Sequence, residues 1–366
     1  MKEAEALEFI GENEVRWRGR TLEYFSGCDY FRLARNPRVT AAAVAALKAS
    51  GLNVAASRFT TGNHQIYAQL ETEIASFFGT ETAVLFPDGY FAPLAVAQAF
   101  AGEFTHALVD ELAHGALLDA ARMLDCPLQK FKQRDAADLK KRLQKCGRKA
   151  RPIILTDGMF SHDGSAAPLR AYLKLLPANG MMLVDDAHGA GVLGATGRGI
   201  LEFENINRRR VVQCVTLSKA FGTYGGAVLA TPKLREKILS RCRVFVGTTP
   251  LPPPLAGAAL ASLKLLRQES GRREKLFQNV FHLRAGLRAA GWDVAETPGP
   301  IVRLPLMNET EGGRLKKRLL QAGIYPPFLK YGATATGYFR FVISSQHTTA
   351  QLDKLIAVLA AFKGGA

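Results

Sequence analysis

Two apolar runs that break off abruptly into polar residues do most to limit what this chain can fold into. The first, MMLVDDAHGAG, turns polar at Asp185 and brings His188 three positions later; the second, VVQCVTLSKAFG, ends in Thr216 and Lys219. A short apolar run closed by polar groups and glycine reads as a strand buried on both faces, the kind that parallel sheets are made of. Around these two runs, strands at 82–86, 106–109, 152–156, 181–184, 211–215 and 226–230 alternate with helices at 65–78, 92–100, 115–124, 136–146 and 169–176. Alternation of this kind predicts an α/β fold, with a mainly parallel sheet in a large domain covered by helices on both faces. Further on, a helix at 233–243 leads into VGTTPLPPP, whose prolines turn the chain before a helix resumes. Helices at 273–290, 313–322 and 349–362, with short strands near Val294, at 301–304 and at 339–343, predict a smaller α+β C-terminal domain. The expected division is an N-terminal arm over 1–50, with a strand at 22–25 and a helix at 39–48, then a large domain over 51–245 and a small domain over 246–366.

In an α/β sheet, ligands lie outside the carboxyl ends of the strands, so Asp185, His188, Thr216 and Lys219 are delivered to one crevice. An acid, an imidazole and a lone amine there suit pyridoxal 5'-phosphate. The lysine holds the aldehyde as a Schiff base, and the aspartate keeps the pyridine nitrogen protonated so that the ring acts as an electron sink. FPDGYFAPLAVAQAF supplies a phosphate site: Gly89 permits a tight turn and Tyr90 opens a helix whose free N–H groups and dipole face an anion. DELAHGALLDAARM places His114 just before a helix, where its ring can stack on the pyridine. TDGMFSHDGSAAPL places Asp157 and Ser161 at another strand end close to the same crevice. Arg340, in YFRFVISSQHT, alternates with apolar neighbours, and its guanidinium can grip an amino-acid carboxylate bidentately.

Singly, each of these has a plainer explanation: a surface lysine starting a helix, an aspartate capping a loop, an ordinary strand-to-helix turn, a strand arginine paired with a surface acid. Two motifs falling on parallel strand ends favour the chemistry. His188 is also followed by a formal GxGxxG at Gly189, Gly191 and Gly194, but positions 207–210 are basic where a dinucleotide site needs an acid, so a nicotinamide cofactor is set aside.

The net charge of +16 over 366 residues concentrates at 130–151, 207–210 and 316–318. No helix-turn-helix, zinc-finger or RNA-binding pattern accompanies it, so it is read as solvated surface or as attraction for a phosphate-rich substrate such as a coenzyme A thioester, rather than as a nucleic-acid site. The cysteines Cys28, Cys126, Cys146, Cys214 and Cys242 are odd in number and form no CxxC pair, which points to a reduced compartment without a zinc site. The acidic start MKEAEALEFIGENEV is no signal peptide, and no apolar stretch reaches the roughly 18 residues of a spanning helix; a cytoplasmic protein without membrane partners is expected.

Together these stretches resemble the α-oxoamine synthases, fold-type I pyridoxal-phosphate enzymes that include 8-amino-7-oxononanoate synthase, 2-amino-3-ketobutyrate CoA ligase, 5-aminolevulinate synthase and serine palmitoyltransferase. The resemblance runs from about Phe25 to Leu359 and rests on TDGMFSHDGSAAPL, VDDAHGAGVLGATGRG and TLSKAFG, in that order. It implies Lys219 as the Schiff-base lysine, Asp185 at the pyridine nitrogen, His188 at the phenolic oxygen and His114 over the ring. It further implies Ser161 near the cofactor, Thr216 with the Gly89 and Tyr90 amides at the phosphate, Thr248 and Thr249 reaching the neighbouring subunit's phosphate, and Arg340 on the substrate carboxylate. A homodimer with shared active sites comes with the family. So does a decarboxylating condensation of an amino acid with an acyl-CoA, by default L-alanine with pimeloyl-CoA as in biotin biosynthesis. Another α-oxoamine synthase reaction, or an aminotransferase or lyase on the same scaffold, stays open. The chain departs from the family pattern at NVAASRFTTGN, Tyr67, Cys28 and FLKYGATATGYFRF, all stretches that the resemblance assigns to substrate binding.

Overall fold

The buried apolar runs pair into one mixed sheet whose strands, in chain order, are β1 (Thr82–Phe86), β2 (His106–Asp110), β3 (Leu128–Phe131), β4 (Pro152–Asp157), β5 (Met181–Asp185), β6 (Val211–Thr216) and β7 (Gly226–Ala230). Across the sheet the order is β1-β7-β6-β5-β4-β2-β3. Adjacent strands from β6 through β3 run parallel, whereas β7 is antiparallel to both its neighbours. Every residue of β4 and β6 is buried, as expected for parallel strands covered on both faces. The computed structural model describes residues 5–330 and 336–364.

The chain divides into two units, Leu33–Ser161 with Ser165–Glu269, and Met1–Arg32 with His162–Gly164 and Ser270–Ala366. The stretch expected as an arm, 1–50, is divided at Arg32. Pro37–Ser50 packs against Pro253–Gln268, so both helices belong with the sheet. The first of them starts as a helix should, with Pro37 at N1 and the Asn36 side chain accepting the Arg38 N–H.

In the first unit the core lies on the sheet and joins Val84, Phe86, Val109, Leu155, Leu183 and Val228 to Ala95, Leu117 and Ile238 of the covering helices. Strand β3, LQKF, forms where the sequence pattern predicts none, because only Phe131 in it is fully buried and Lys130 is exposed: it is an edge strand inside a basic stretch. The loop before helix Gln65–Phe78 is anchored by Arg58, whose guanidinium is buried against Glu71 at 2.5 Å and lies over the Tyr67 and Phe245 rings. Glu71 also accepts the Leu85 N–H at 2.9 Å.

The second unit begins with a three-stranded antiparallel sheet, Glu8–Phe9, Glu14–Trp17 and Arg20–Glu23. Its tight turn is made by Arg18 and Gly19, both at positive φ (49° and 74°), the pairing that matches hairpin twist. The strand expected at 22–25 therefore begins and ends two residues earlier. Elsewhere, Thr336–Val342 pairs antiparallel with Ile301–Arg303, Met307–Asn308 and Phe328–Leu329. Helices Gly271–Ala289, Glu309–Gln321 and Thr349–Lys363 supply Leu283, Leu315 and Leu355 to a core around Phe339 and Phe341. No strand forms at Val294: its N–H turns back to the Trp292 carbonyl and its own carbonyl accepts from Arg288, which leaves no ladder to join. Of the departing stretch FLKYGATATGYFRF, residues 331–335 lie outside the described residues. No helix among the described residues is long and apolar enough to cross a membrane.

Removing one member of a buried ion pair strands the other charge, at a cost of about 3 to 5 kcal/mol. Glu71→Ala is expected to lower unfolding stability by about that much, whereas Arg58→Met with Glu71→Leu loses far less; urea denaturation of both variants measures the difference.

Candidate active site

The parallel register of β4, β5 and β6 sets Asp157 beside Asp185 and Asp185 beside Cys214, so β4 and β5 end level and β6 runs on to Thr216. Just past those ends lies a crevice of about 190 Å³ lined by Asp88, Gly89, Tyr90, His114, Asp157, Asp185, Ala187, His188, Thr216, Ser218 and Lys219. Five separate strand ends contribute to it.

Each side chain is held by local geometry. Asp185 and His188 are buried, and Asp185 Oδ1 accepts the Ala187 N–H at 3.0 Å, closing the turn that presents the imidazole. Thr216 Oγ1 donates to the Gly225 carbonyl at 3.0 Å and stands 2.8 Å from Ser218 Oγ, leaving the serine hydroxyl directed by the threonine. Gly89 passes so close to Thr216 that a Cβ there would fall 2.8 Å from its Oγ1, and a Cβ on Gly226 would fall 2.5 Å from the Gly89 Cα. Only glycines let β7 and the turn after β1 close over the threonine. His114 caps the helix Gly115–Arg122: its Nδ1 accepts the Ala116 N–H at 3.3 Å, which leaves the proton of the neutral ring on Nε2. Its own N–H donates to Asp157 Oδ1 at 3.0 Å.

Asp157 is therefore a positioning group for His114. Burial pushes its carboxyl well above the usual carboxylate range, and the charge of Asp185 adds to that; the His114 N–H and Lys219 oppose it. Of the two amides expected to be free for an anion, that of Tyr90 is not: it donates to Asp88 Oδ1 at 2.7 Å. The Asp88–Tyr90 spacing is that of an Asx turn, a signal present in FPDGY.

Eight of the residues singled out in the sequence line this crevice: Gly89, Tyr90, His114, Asp157, Asp185, His188, Thr216 and Lys219. Ser161, Thr248 and Thr249 do not. Thr248 Oγ1 donates to the Val244 carbonyl at 2.6 Å, and Thr249 is exposed. Arg340 belongs to the other unit, on strand Thr336–Val342, half-buried, with Nη2 3.1 Å from Cys28 Sγ. Asp88, Ala187 and Ser218 line the crevice without having been singled out.

The donor set fits a phosphorylated pyridine aldehyde. One amine shares the crevice with carboxylates, two imidazoles are present, and hydroxyls gather where a Cβ-free turn leaves room. Comparison with known proteins agrees. Residues 26–359 match the family described as aminotransferase class I and II, and the chain belongs to it. Within that family it is a pyridoxal-phosphate-dependent C-acyltransferase of the α-oxoamine synthase type, with the fold-type I architecture. It is 37% identical over 345 residues to the 8-amino-7-oxononanoate synthase of Thioalkalivibrio sulfidiphilus, covering 93% of this chain and 88% of that protein. It is 36% identical over 365 residues to the one from Anaeromyxobacter sp. strain K, covering 97% and 91%. Among solved structures, a serine palmitoyltransferase from S. paucimobilis superposes with a TM-score of 0.92 at 27% identity, covering 98% of this chain and 92% of that one. The 8-amino-7-oxononanoate synthase from Francisella tularensis does so with a TM-score of 0.79 at 26% identity, covering 92% and 96%.

Behind Asp185, the fully buried Asp186 organises the turn. Its Oδ2 accepts the Ile200 N–H at 2.8 Å and Gln213 Nε2 at 2.6 Å, and Arg208 donates to Gln213 Oε1 at 2.6 Å. A Cβ at Gly158, Gly189 or Gly199 would fall 2.4, 2.1 or 1.9 Å from an Asp186 oxygen, so three glycines of the family-like motifs serve this one carboxyl. Burial pushes it up to about 7. Between its ordinary value near 4 and that point the folded chain keeps a proton that the unfolded chain releases, so stability falls as pH rises through the window. Asp186→Asn, whose amide oxygen can keep both donors, is expected to flatten the decline in unfolding free energy from pH 5 to 7.5 by on the order of 2 to 3 kcal/mol; an unchanged slope in urea titrations assigns the proton elsewhere.

Proposed function

We propose that this chain condenses an amino acid with an acyl-CoA thioester and releases carbon dioxide and free CoA, with L-alanine and pimeloyl-CoA as the first substrates to try. The convergence of Lys219, Asp185 and His188 on one crevice carries this reading, and the names of the similar proteins support the substrates. Pyridoxal phosphate supplies an electron sink that stabilises negative charge developing on the amino acid's α-carbon. In this reading Lys219 Nζ would anchor the cofactor and would serve as the base for the α-proton. Asp185 supplies the negative charge that keeps a proton on the ring nitrogen, and His188 donates to the oxygen beside the aldehyde. His114, pinned at Nδ1 and through its own N–H, covers one ring face and excludes water. Thr216, Ser218 and the Gly89 amide take the phosphate, and Arg340 pairs with the substrate carboxylate.

Ser161 near the cofactor, and Thr248 and Thr249 from a partner subunit of a homodimer, complete the proposal. A second reading, condensation of the serine palmitoyltransferase type, fits the structural similarity to that enzyme, but no better than the first.

Following free thiol with a panel of acyl-CoAs and amino acids tests the reaction: thiol release that needs both substrates is expected, and turnover of amino acid with a 2-oxo acid without thiol release would overturn it. Lys219→Ala is expected to fold, to lose the visible cofactor band on dialysis and to lose at least about 10³-fold in activity, order-of-magnitude for a nucleophile and base removed together. Arg340→Ala is expected to raise half-saturation by the amino acid about 10-fold or more with the cofactor retained, as for loss of a charge-assisted pair.

A further inference from the structure

A second cavity, of about 350 Å³, opens at the opposite rim of the sheet, where β5 and β6 begin and β7 ends. Its floor is apolar, made by Phe100, Met181, Val212 and Leu229. Its rim is cationic: Arg151, Arg208, Arg209, Lys233 and Lys237 line it against the carboxylates of Glu81 and Glu103. Two of the basic clusters in the sequence, 130–151 and 207–210, thus supply one cavity that the condensation chemistry does not use.

The acids do not balance the cations. Glu103 is already engaged by Lys237 at 2.5 Å, Arg241 at 3.3 Å and Arg151 at 3.9 Å. Arg208 is spent on Gln213 and on the Phe78 carbonyl at 3.0 Å. Arg209 and Lys233 are exposed, and neither side chain meets a carboxylate among the described residues. Lys233 also lies in the first turn of helix Pro232–Arg241, whose positive dipole end faces the same rim. Without an anion, these two cations repel each other beside an apolar floor; an anion with an apolar body satisfies both surfaces at once. The volume falls in the range of small-molecule sites, about 300 to 1,000 Å³.

We propose that this cavity is a binding site for an amphipathic organic anion, its carboxylate or phosphate head held by Arg209 and Lys233 and its apolar body laid on Phe100, Met181, Val212 and Leu229. The site stands apart from the crevice at Lys219 and does not depend on the reaction carried out there.

Isothermal titration of the cofactor-loaded protein tests it, using octanoate and octyl phosphate as probes, with octanol and inorganic phosphate as their uncharged and bodiless counterparts. At least one of the two amphipathic probes is expected to bind tenfold or more tighter than both counterparts. Arg209→Glu with Lys233→Glu is expected to weaken that binding tenfold or more while thermal midpoint and cofactor loading stay unchanged. Lys233→Gln alone repeats the comparison if the double variant is unstable. Octanol binding as well as octanoate, absence of binding by either amphipathic probe, or binding that survives the charge reversals but disappears in Lys219→Ala overturns the proposal, the last by assigning the probe to the crevice.

Discussion

The register of the parallel strand ends is what the rest of the site depends on. Because Asp157 and Asp185 are register partners and Asp185 is in register with Cys214, acids from β4 and β5 and the Thr216–Lys219 turn from β6 emerge side by side. A one-residue slip in any of these pairings would turn the acids toward the helices instead of the crevice. Full burial of β4 and β6 guards against such a slip, since both faces are packed.

Asp157 and Asp185, adjacent in so small a space, cannot be handled alike. Burial and Asp185 together favour the neutral form of Asp157, and its remaining task is structural, receiving the His114 N–H. Asp185, whose Oδ1 accepts the Ala187 N–H, lines the same crevice. Neighbouring carboxyls are thereby given different work by their surroundings.

The large unit was legible because its strands are short apolar runs with abrupt polar ends; β1 and β7 fall where the apolar pattern puts them. Strand β3 was not, since an edge strand with an exposed lysine has the look of the basic loop around it. The hairpin at Arg18–Gly19 was missed for a related reason: an arginine at positive φ is uncommon and gives no turn signal of its own. In the site, lysine, aspartate and histidine were readable because they follow the strands directly. What could not be read was which backbone groups were already spoken for, as the Tyr90 amide is by Asp88, or that Gly158, Gly189 and Gly199 enclose one Asp186 carboxyl.

The reversed direction of β7 has a consequence for how chemistry is distributed over the sheet. In a wholly parallel sheet, the segments that follow strands all gather on one side and leave the other to return connections. Here β7 enters beside Gly89 and exits at Ala230, so the helix it launches begins on the far side, next to the starts of β5 and β6. One inverted strand gives the sheet a second, independently furnished face for evolution to act on, without disturbing the residues that surround Lys219.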